Sequence, residues 1–318
     1  MRPDAKIYVA GHRGLAGSAI VRRLRAAGYR NIVTRTHEEL DLIEQRAVRD
    51  FFQAERPQIV FLAAARVGGI WANSTYPAEF IYENLAVQTN VIHEAQRSGV
   101  ERLVFLGSSC IYPRDCRQPM QEEDFLTGPL EPTNEAYAAA KIAGVEMCWA
   151  YNRQYGTKYI CAMPTNLFGP GDNYDAQTSH VLAALIRKFH EAKASGAPTV
   201  TLWGSGTPTR EHLYSDDLGD ACVFLVQGKA DDLVDPARPP LVNVGTGEEH
   251  SVQALAEKVR AAVGSDARIV YDRSKPDGMP RKVMDVSRLA ARGWRARVTL
   301  EQGLARAYES FLREKVAA

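Results

Sequence analysis

Charge of one sign is what this 318-residue chain lacks most plainly: 39 Lys and Arg stand against 38 Asp and Glu, a net charge of +1. Without a basic or acidic excess there is no electrostatic footprint for nucleic acid or for a charged membrane surface. No apolar run reaches the length of a transmembrane helix, and Met1–Ala10 carries no signal-peptide pattern. Cysteine is scarce, five residues at 110, 116, 148, 161 and 222, with neither a CxxC pair nor a metal-ligand spacing. A scattered, odd set reads as reduced thiols, so the expected compartment is the cytoplasm and no metal is expected. Repeats and low-complexity tracts are missing, and the nearest thing to a linker, DDLVDPARPP (231–240), reads as a surface loop. What is left is ordinary globular composition, 45% hydrophobic, with enough chain for a core divided between two lobes.

What is present begins with KIYVA (6–10), a short apolar strand, followed by GHRGLAG with glycines at 11, 14 and 17. Ala19 to Ala27 then reads as a helix with Ile20, Val21 and Leu24 on its apolar face and Gly28 as its stop. Strand, glycine loop and helix in that order form the context a dinucleotide fingerprint requires. Gly11 can make the tight turn, Gly14 can admit a pyrophosphate to the backbone, and Gly17 can let the helix pack close. The spacing is GxxGxxG rather than GxGxxG. Further strand-like runs, NIVT (31–34), IVFLAAA (59–65) and LVFLG (103–107), alternate with helical stretches, notably Ala78 to Ser98. That alternation predicts an α/β fold, a doubly wound parallel sheet of Rossmann-like type.

The end of the second strand bears on which dinucleotide binds. An acid there would hold a ribose 2′-hydroxyl, whereas arginine suits a 2′-phosphate. Here the strand runs out in Thr34-Arg35-Thr36-His37, with Arg13 inside the glycine loop and Glu38 and Glu39 following. The balance favours NADP over NAD.

Downstream, EPTNEAYAAAKIAG places Tyr137 and Lys141 at i and i+4 on a helix that Asn134 can cap. A cation beside a phenol favours the phenolate and lowers its pKa from about 10. Such a tyrosine can exchange a proton with a carbonyl oxygen while hydride moves at the carbon. Ser108, at the tip of the preceding strand, can hydrogen-bond the same oxygen. YxxxK alone occurs by chance on exposed helices; behind a glycine loop and a serine-tipped strand it is a strong signal. A thiol, Cys110, sits two residues beyond that serine, where it could equally be core packing.

Ser108, Tyr137 and Lys141 with GHRGLAG resemble the extended short-chain dehydrogenase/reductases of the nucleotide-sugar branch. Longer stretches, among them LAAARVGGIWANSTYPAEFIYENL, FLGSSCIYP, MPTNLFGPGDN, SHVLAALIRKFHEA, LWGSGTPTRE and SKPDGMPRK, are similar to the GDP-L-fucose synthase family over nearly the full chain. The resemblance implies synthesis of GDP-L-fucose from GDP-4-keto-6-deoxy-D-mannose, by inversion at C3 and C5 and NADPH-dependent reduction at C4. It implies five catalytic residues: Ser108, Cys110, Tyr137, Lys141 and His180. For NADP(H) it implies Gly11, His12, Arg13, Gly14, Leu15, Ala16 and Gly17, then Arg35, His37, Asp41 and Leu42. It adds Leu106, Gly107 and Lys141, and finally Pro164, Thr165, Asn166, Leu167 and His180. Lys188, Trp203, Arg210 and Asp277 are implied for the GDP-sugar, with the neighbouring Arg187 an alternative to Lys188 at the diphosphate. A homodimer is also implied, the Ala78–Ser98 helix being a candidate contact.

In this reading residues 1–168 form the NADP-binding domain and 169–318 mainly a smaller, mixed substrate lobe, with some segments returning to the first domain. Cys110 would be the base and His180 the acid of the inversions, because a thiol and an imidazole, with pKa values of about 8.5 and about 6.5, both exchange protons near neutrality. Two other readings stay open. One is a nucleotide-sugar 4-epimerase, 4-reductase or 4,6-dehydratase, which would not call for a Cys110–His180 pair. The other is a non-catalytic NADP-binding regulator, which would need only the glycine loop.

Overall fold

The structure is a computed structural model and describes residues 2–176, 178–275, 277 and 279–317, with the side chains of 315–317 excepted. Pro276 and Gly278 of the SKPDGMPRK stretch therefore lie outside the described residues.

The chain opens with β1 (Ile7–Ala10), α1 (Leu15–Ala26), β2 (Ile32–Val33), α2 (Gln45–Glu55) and β3 (Ile59–Leu62). It continues with α3 (Ile70–Thr75), α4 (Pro77–Arg97), β4 (Arg102–Leu106), α5 (Glu135–Tyr155), β5 (Tyr159–Pro164) and β6 (Asn166–Phe168). The strands β1, β3 and β5 are buried at every position, which is why they read as continuous apolar runs rather than as alternating ones. Helices cover both faces. Ile7, Val9, Phe61, Val104 and Ile160 face a core shared with Ile20 and Leu24 of α1. Their neighbours Tyr8, Val60, Leu103, Phe105 and Tyr159 face Phe52 of α2, Ile92 of α4 and Val145 of α5. Each such side chain contributes roughly 1.5–3 kcal/mol by leaving water, so the two layers fix the strand register.

The second half runs α6 (Val181–Ser195), β7 (Thr199–Trp203), β8 (Thr209–Tyr214), α7 (Ser215–Val226), β9 (Leu241–Val244), β10 (Glu249–Ser251) and α8 (Val252–Val263). It ends with β11 (Arg268–Asp272), β12 (Arg281–Lys282), α9 (Ser287–Ala290) and α10 (Leu300–Ala317). The large sheet is parallel throughout, in the order β2-β1-β3-β4-β5-β9. Its last strand and α7, which packs on the α1 side, both come from the second half. The remaining strands make a smaller sheet, β10-β8-β12 with β6 beside β8, and a separate β11-β7 pair. A third apolar cluster, with Phe189 of α6, Leu202 of β7, Val259 of α8 and Phe311 of α10, holds this lobe together.

Order reverses at β1, with β2 on one side and β3 on the other, and a crevice opens at such a switch point beyond the carboxyl ends of the strands. The observed elements agree with the sequence reading to within a few residues, and α1 begins earlier than expected, at Leu15. Asp216 and Asp217 sit in the first turn of α7 and act structurally, Asp216 pairing with Arg22 at 2.7 Å and Asp217 accepting from the amides of Arg297 and Val298.

Candidate active site

The glycine loop joins β1 to α1 at the switch point. Gly11 has φ +81°, and a Cβ there would meet Ala64 N at 2.6 Å, so no other residue fits. A Cβ on Gly17 would run into the Gly11 carbonyl, so this glycine is what lets α1 press against the loop. Gly14 caps α1 in extended backbone, and a Cβ there would make only ordinary contact, with Gly11 O 3.5 Å away. The first amides of α1, from Leu15 onward, have no partners within the helix and favour an anion. His12 Nδ1 is buried in this loop with no hydrogen-bond partner in the structure. A tight turn, orphan amides and an unpaired ring nitrogen fit a dinucleotide's pyrophosphate.

The end of β2 treats its cations unequally. Arg35 is engaged by Glu55 at 2.5 Å and by Thr34 O at 2.8 Å, and its guanidinium lies over Phe51. Arg13 is exposed and pairs loosely with Glu38 at 4.0 Å. His37 is exposed near Asp41, whose carboxylate accepts from the Ile43 amide, while Leu42 is in the core. Of the two arginines, Arg13 is the readier partner for a 2′-phosphate.

β4 ends at the residues expected to carry the chemistry. Its last carbonyl, Leu106 O, accepts from Lys141 Nζ at 2.9 Å, and Gly107 N is held by Ala162 O of β5. α5 can bring Tyr137 and Lys141 here because Gly144 lets it lie against Phe105; a Cβ at 144 would meet that ring at 2.4 Å. The Tyr137 hydroxyl hydrogen-bonds the Ser108 side chain. Lys141 is buried, its Nζ 4.8 Å from the Phe105 ring centre and 5.8 Å from that of Tyr137. Burial pushes the Lys141 pKa down to about 7. Tyr137 goes the other way: burial first, and then the charge of Cys110, raise its pKa well above that of an ordinary phenol, against a smaller lowering by the Ser108 hydrogen bond. The expectation that the neighbouring cation lowers this pKa is thus corrected. Loss of solvation dominates, and in the ligand-free protein the phenol keeps its proton.

Ser108 is followed by a short 3₁₀ turn, Ser109–Ile111, that presents Cys110, with the Cys110 amide donating to Ser108 Oγ at 3.3 Å. Asn134, expected as the cap of α5, makes no side-chain cap; its Nδ2 is directed to Cys110 Sγ at 3.2 Å. Lys282 Nζ of β12 approaches the same sulfur at 3.7 Å. His180, at the N-cap of α6, is exposed at the surface, yet surrounding protein withholds enough water to lower its pKa, and Lys282 lowers it further. Lys282 therefore stands near both proposed proton-transfer groups. Sequence reasoning gave it no role, and the only available signal was its position in the MPRK stretch.

Pro164 ends β5, Thr165 links it to β6, and Asn166 and Leu167 start β6, where the chain passes from one sheet to the other. Thr165 N bonds Val244 O of β9, and Thr165 Oγ1 and Asn166 Nδ2 both bond Glu211 O of β8. In the second lobe, Trp203 at the end of β7 is 69% exposed, with Lys275 above its ring. Asp277 accepts from Ser205 N and Oγ and lies beside Gly204, while Lys188 reaches Thr201 O of β7. Arg210 of β8 is held by Met279 O at 2.6 Å and interacts electrostatically with Asp277. All four expected GDP-sugar residues thus belong to one lobe, three of them around β7. Arg187 is mostly buried against Glu191, and its Nε has no partner in the structure.

A glycine loop at a switch point, with Ser108 at the end of β4 and Tyr137 and Lys141 of α5 beside it, fits a short-chain dehydrogenase/reductase site, and residues 7–245 match the model of the NAD dependent epimerase/dehydratase family, to which the chain belongs. Within it the chain is 54% identical to GDP-L-fucose synthase 1 of Arabidopsis thaliana over 310 residues, covering 98% of this chain and 94% of that protein. It is 51% identical to GDP-L-fucose synthase of Escherichia coli over 309 residues, 96% of either chain. Among solved structures, MlghC, a GDP-mannoheptose C4 reductase from Campylobacter jejuni with NADP bound, superposes with a TM-score of 0.90 at 38% identity, covering 98% of this chain and 99% of that one.

Proposed function

We propose that the protein converts GDP-4-keto-6-deoxy-D-mannose to GDP-L-fucose, inverting C3 and C5 and then reducing the C4 ketone with NADPH, as a step of de novo GDP-L-fucose synthesis. The observation that carries the reading is a thiol, Cys110, built into the reductase site two residues from Ser108, with nitrogen donors directed at its sulfur. A plain ketoreductase has no use for it.

The chemistry follows from the ketone. A C4 carbonyl acidifies the protons on C3 and C5, and the Ser108 and Tyr137 hydroxyls bind the oxygen on which enolate charge develops. Cys110 as thiolate takes the proton from one ring face, and protonated His180 delivers one to the other. Each inversion leaves a thiol and a neutral imidazole, and exchange with water resets the pair, so solvent hydrogen enters at both carbons. Tyr137, whose buried phenol stays protonated, then gives its proton to the C4 oxygen, and the Lys141 ammonium beside it stabilises the phenolate left behind. Bound NADPH supplies the hydride to C4. The Gly11–Gly17 loop would hold its pyrophosphate, and Arg13 its 2′-phosphate. In the substrate lobe Trp203 offers a flat surface to guanine, Asp277 a carboxylate to its edge, and Lys188 and Arg210 cations to the diphosphate.

The reading includes the cytoplasm as compartment and a homodimer, the latter supported by Tyr82 of α4 and Tyr155 of α5, two exposed aromatic residues on helices that pack together. Among the described residues no helix is long and apolar enough to cross a membrane.

The test is a reaction in heavy water with GDP-4-keto-6-deoxy-D-mannose and NADPH, mapping deuterium in the product. Deuterium at C3 and C5 of a GDP-fucose, with NADPH consumed, is the expected result. Reduction without solvent deuterium would make the protein a 4-ketoreductase and Cys110 a packing residue.

A further inference from the structure

Two nitrogen donors converge on Cys110 Sγ from distant parts of the chain, Asn134 from the turn before α5 and Lys282 from β12. A thiol is a weak donor and a weak acceptor, whereas a sulfur anion is stabilised by every donor pointed at it. Resting on the reading of Cys110 as a proton-transfer group, we propose that Lys282 is a positioning residue for the inversions, which together with Asn134 directs hydrogen-bond donors at the Cys110 sulfur and supports the negative charge it carries when it acts as a base.

Lys282 is held in place from both sides. β12 runs parallel to β8 with Lys282 in register with Arg210. The next two amides are fastened: Val283 N to Gln118 Oε1 at 3.0 Å and Met284 N to Glu211 Oε2 at 2.8 Å. Met120 N in turn bonds Val283 O, so the segment that follows Cys110 is tied to the strand that carries Lys282. Glu211 is fully buried and also accepts from Thr246 N and Gly247 N, which makes it a rigid anchor. The adjacent Arg281 is turned to Glu249 and Gln118 O, leaving Lys282 as the cation of β12 directed at the thiol.

The charged and titratable groups around the pair come from every packed element. Tyr137 of α5 senses the Cys110 charge, and Ser108 Oγ binds the Cys110 amide. His180 before α6 and Cys116 in the loop after β4 both sense Lys282, and Arg210 lies across β8. One ammonium thus favours negative charge on the base and disfavours positive charge on the acid. A less stable imidazolium is a readier proton donor, so the same cation prepares both partners of the inversion.

The experiment measures deuterium uptake from heavy water into the ketone substrate, with NADP⁺ present in place of NADPH so that reduction does not follow. Uptake is recorded across pH for the wild-type chain, Lys282→Met and Lys282→Arg. Alkylation of Cys110 by iodoacetamide, read by peptide mass, follows the thiolate without turnover. At neutral pH, Lys282→Met should lose about tenfold in both rates and regain it at higher pH, while Lys282→Arg keeps the wild-type profile. Wild-type rates and profile in Lys282→Met, or a loss that neither higher pH nor arginine restores, overturns the assignment. If the wild-type chain itself takes up no deuterium, the epimerase reading fails, and Lys282 loses its role with it.

Discussion

The two regions that meet at the cleft are built on different terms. On the β4–α5 side Lys141 is buried, its ammonium is tied to Leu106 O, and Gly144 fixes how closely the helix approaches. On the β7 side Trp203 stands 69% exposed and Asp277 is open to solvent on a loop, held through Ser205. The groups proposed for reduction are fixed by burial and close packing before any ligand arrives, while among those proposed for recognition Trp203 and Asp277 stand open to solvent. Fixed geometry serves where bonds change, because dipoles already in place need no reorganisation during reaction. Adaptable side chains serve where a large, charged ligand must enter and leave.

The sharpest break of that comparison is inside the rigid half. Tyr137→Phe should lower C4 reduction by about 10²- to 10⁴-fold while solvent exchange at C3 and C5 continues. Cys110→Ser should do the converse, stopping exchange and leaving NADPH oxidation with an already inverted ketone intact. Parallel rate assays and mass spectrometry of recovered substrate separate the two, and equal loss of both reactions in either variant would deny the division of labour. On the open side, Trp203→Ala should act on KM rather than kcat, raising it about 5- to 150-fold if stacking on guanine contributes about 1–3 kcal/mol. Steady-state kinetics would count against a recognition role if kcat fell and KM held.

A smaller effect tests burial itself. The Lys141 pKa is about 7 in the folded chain, against about 10.4 for an unperturbed lysine. Between those values the unfolded chain binds the extra proton, so Lys141 weakens folding fully below pH 7 and releases that cost as pH rises toward 10. Lys141→Met should therefore be more stable than wild type at pH 6, by an amount that shrinks by about 1 kcal/mol per pH unit above 7. Urea melts at several pH values would decide; a constant difference would mean that Lys141 is not destabilised by burial.

What could be read before the structure was what neighbours in sequence determine. The apolar run of β1, the glycines at 11, 14 and 17, and the i, i+4 spacing of Tyr137 and Lys141 are local patterns whose physics is complete within a few residues. What escaped depends on partners far along the chain. Asn134 looked like a cap because caps are local, whereas its thiol partner lies 24 residues away. Lys282 is 172 residues from the same sulfur. Arg35 looked free for a phosphate because Glu55, 20 residues on, gives no local sign of the pairing. The direction of the Tyr137 shift was missed for a related reason, since burial depends on the whole fold while the spacing of a lysine does not.

The sixth strand of the large sheet has a consequence for how the protein must be made. β9 supplies the partner for β5 and comes from residues 241–244, midway through the second half of the chain. During synthesis the first five strands can emerge and pair while β5 still presents an open edge, and such an edge invites pairing with another chain. A gene split after residue 168 would freeze the protein in that condition. The two halves are laced by the polypeptide itself, and a translating ribosome must deliver about three quarters of the chain before the nucleotide-binding sheet is sealed.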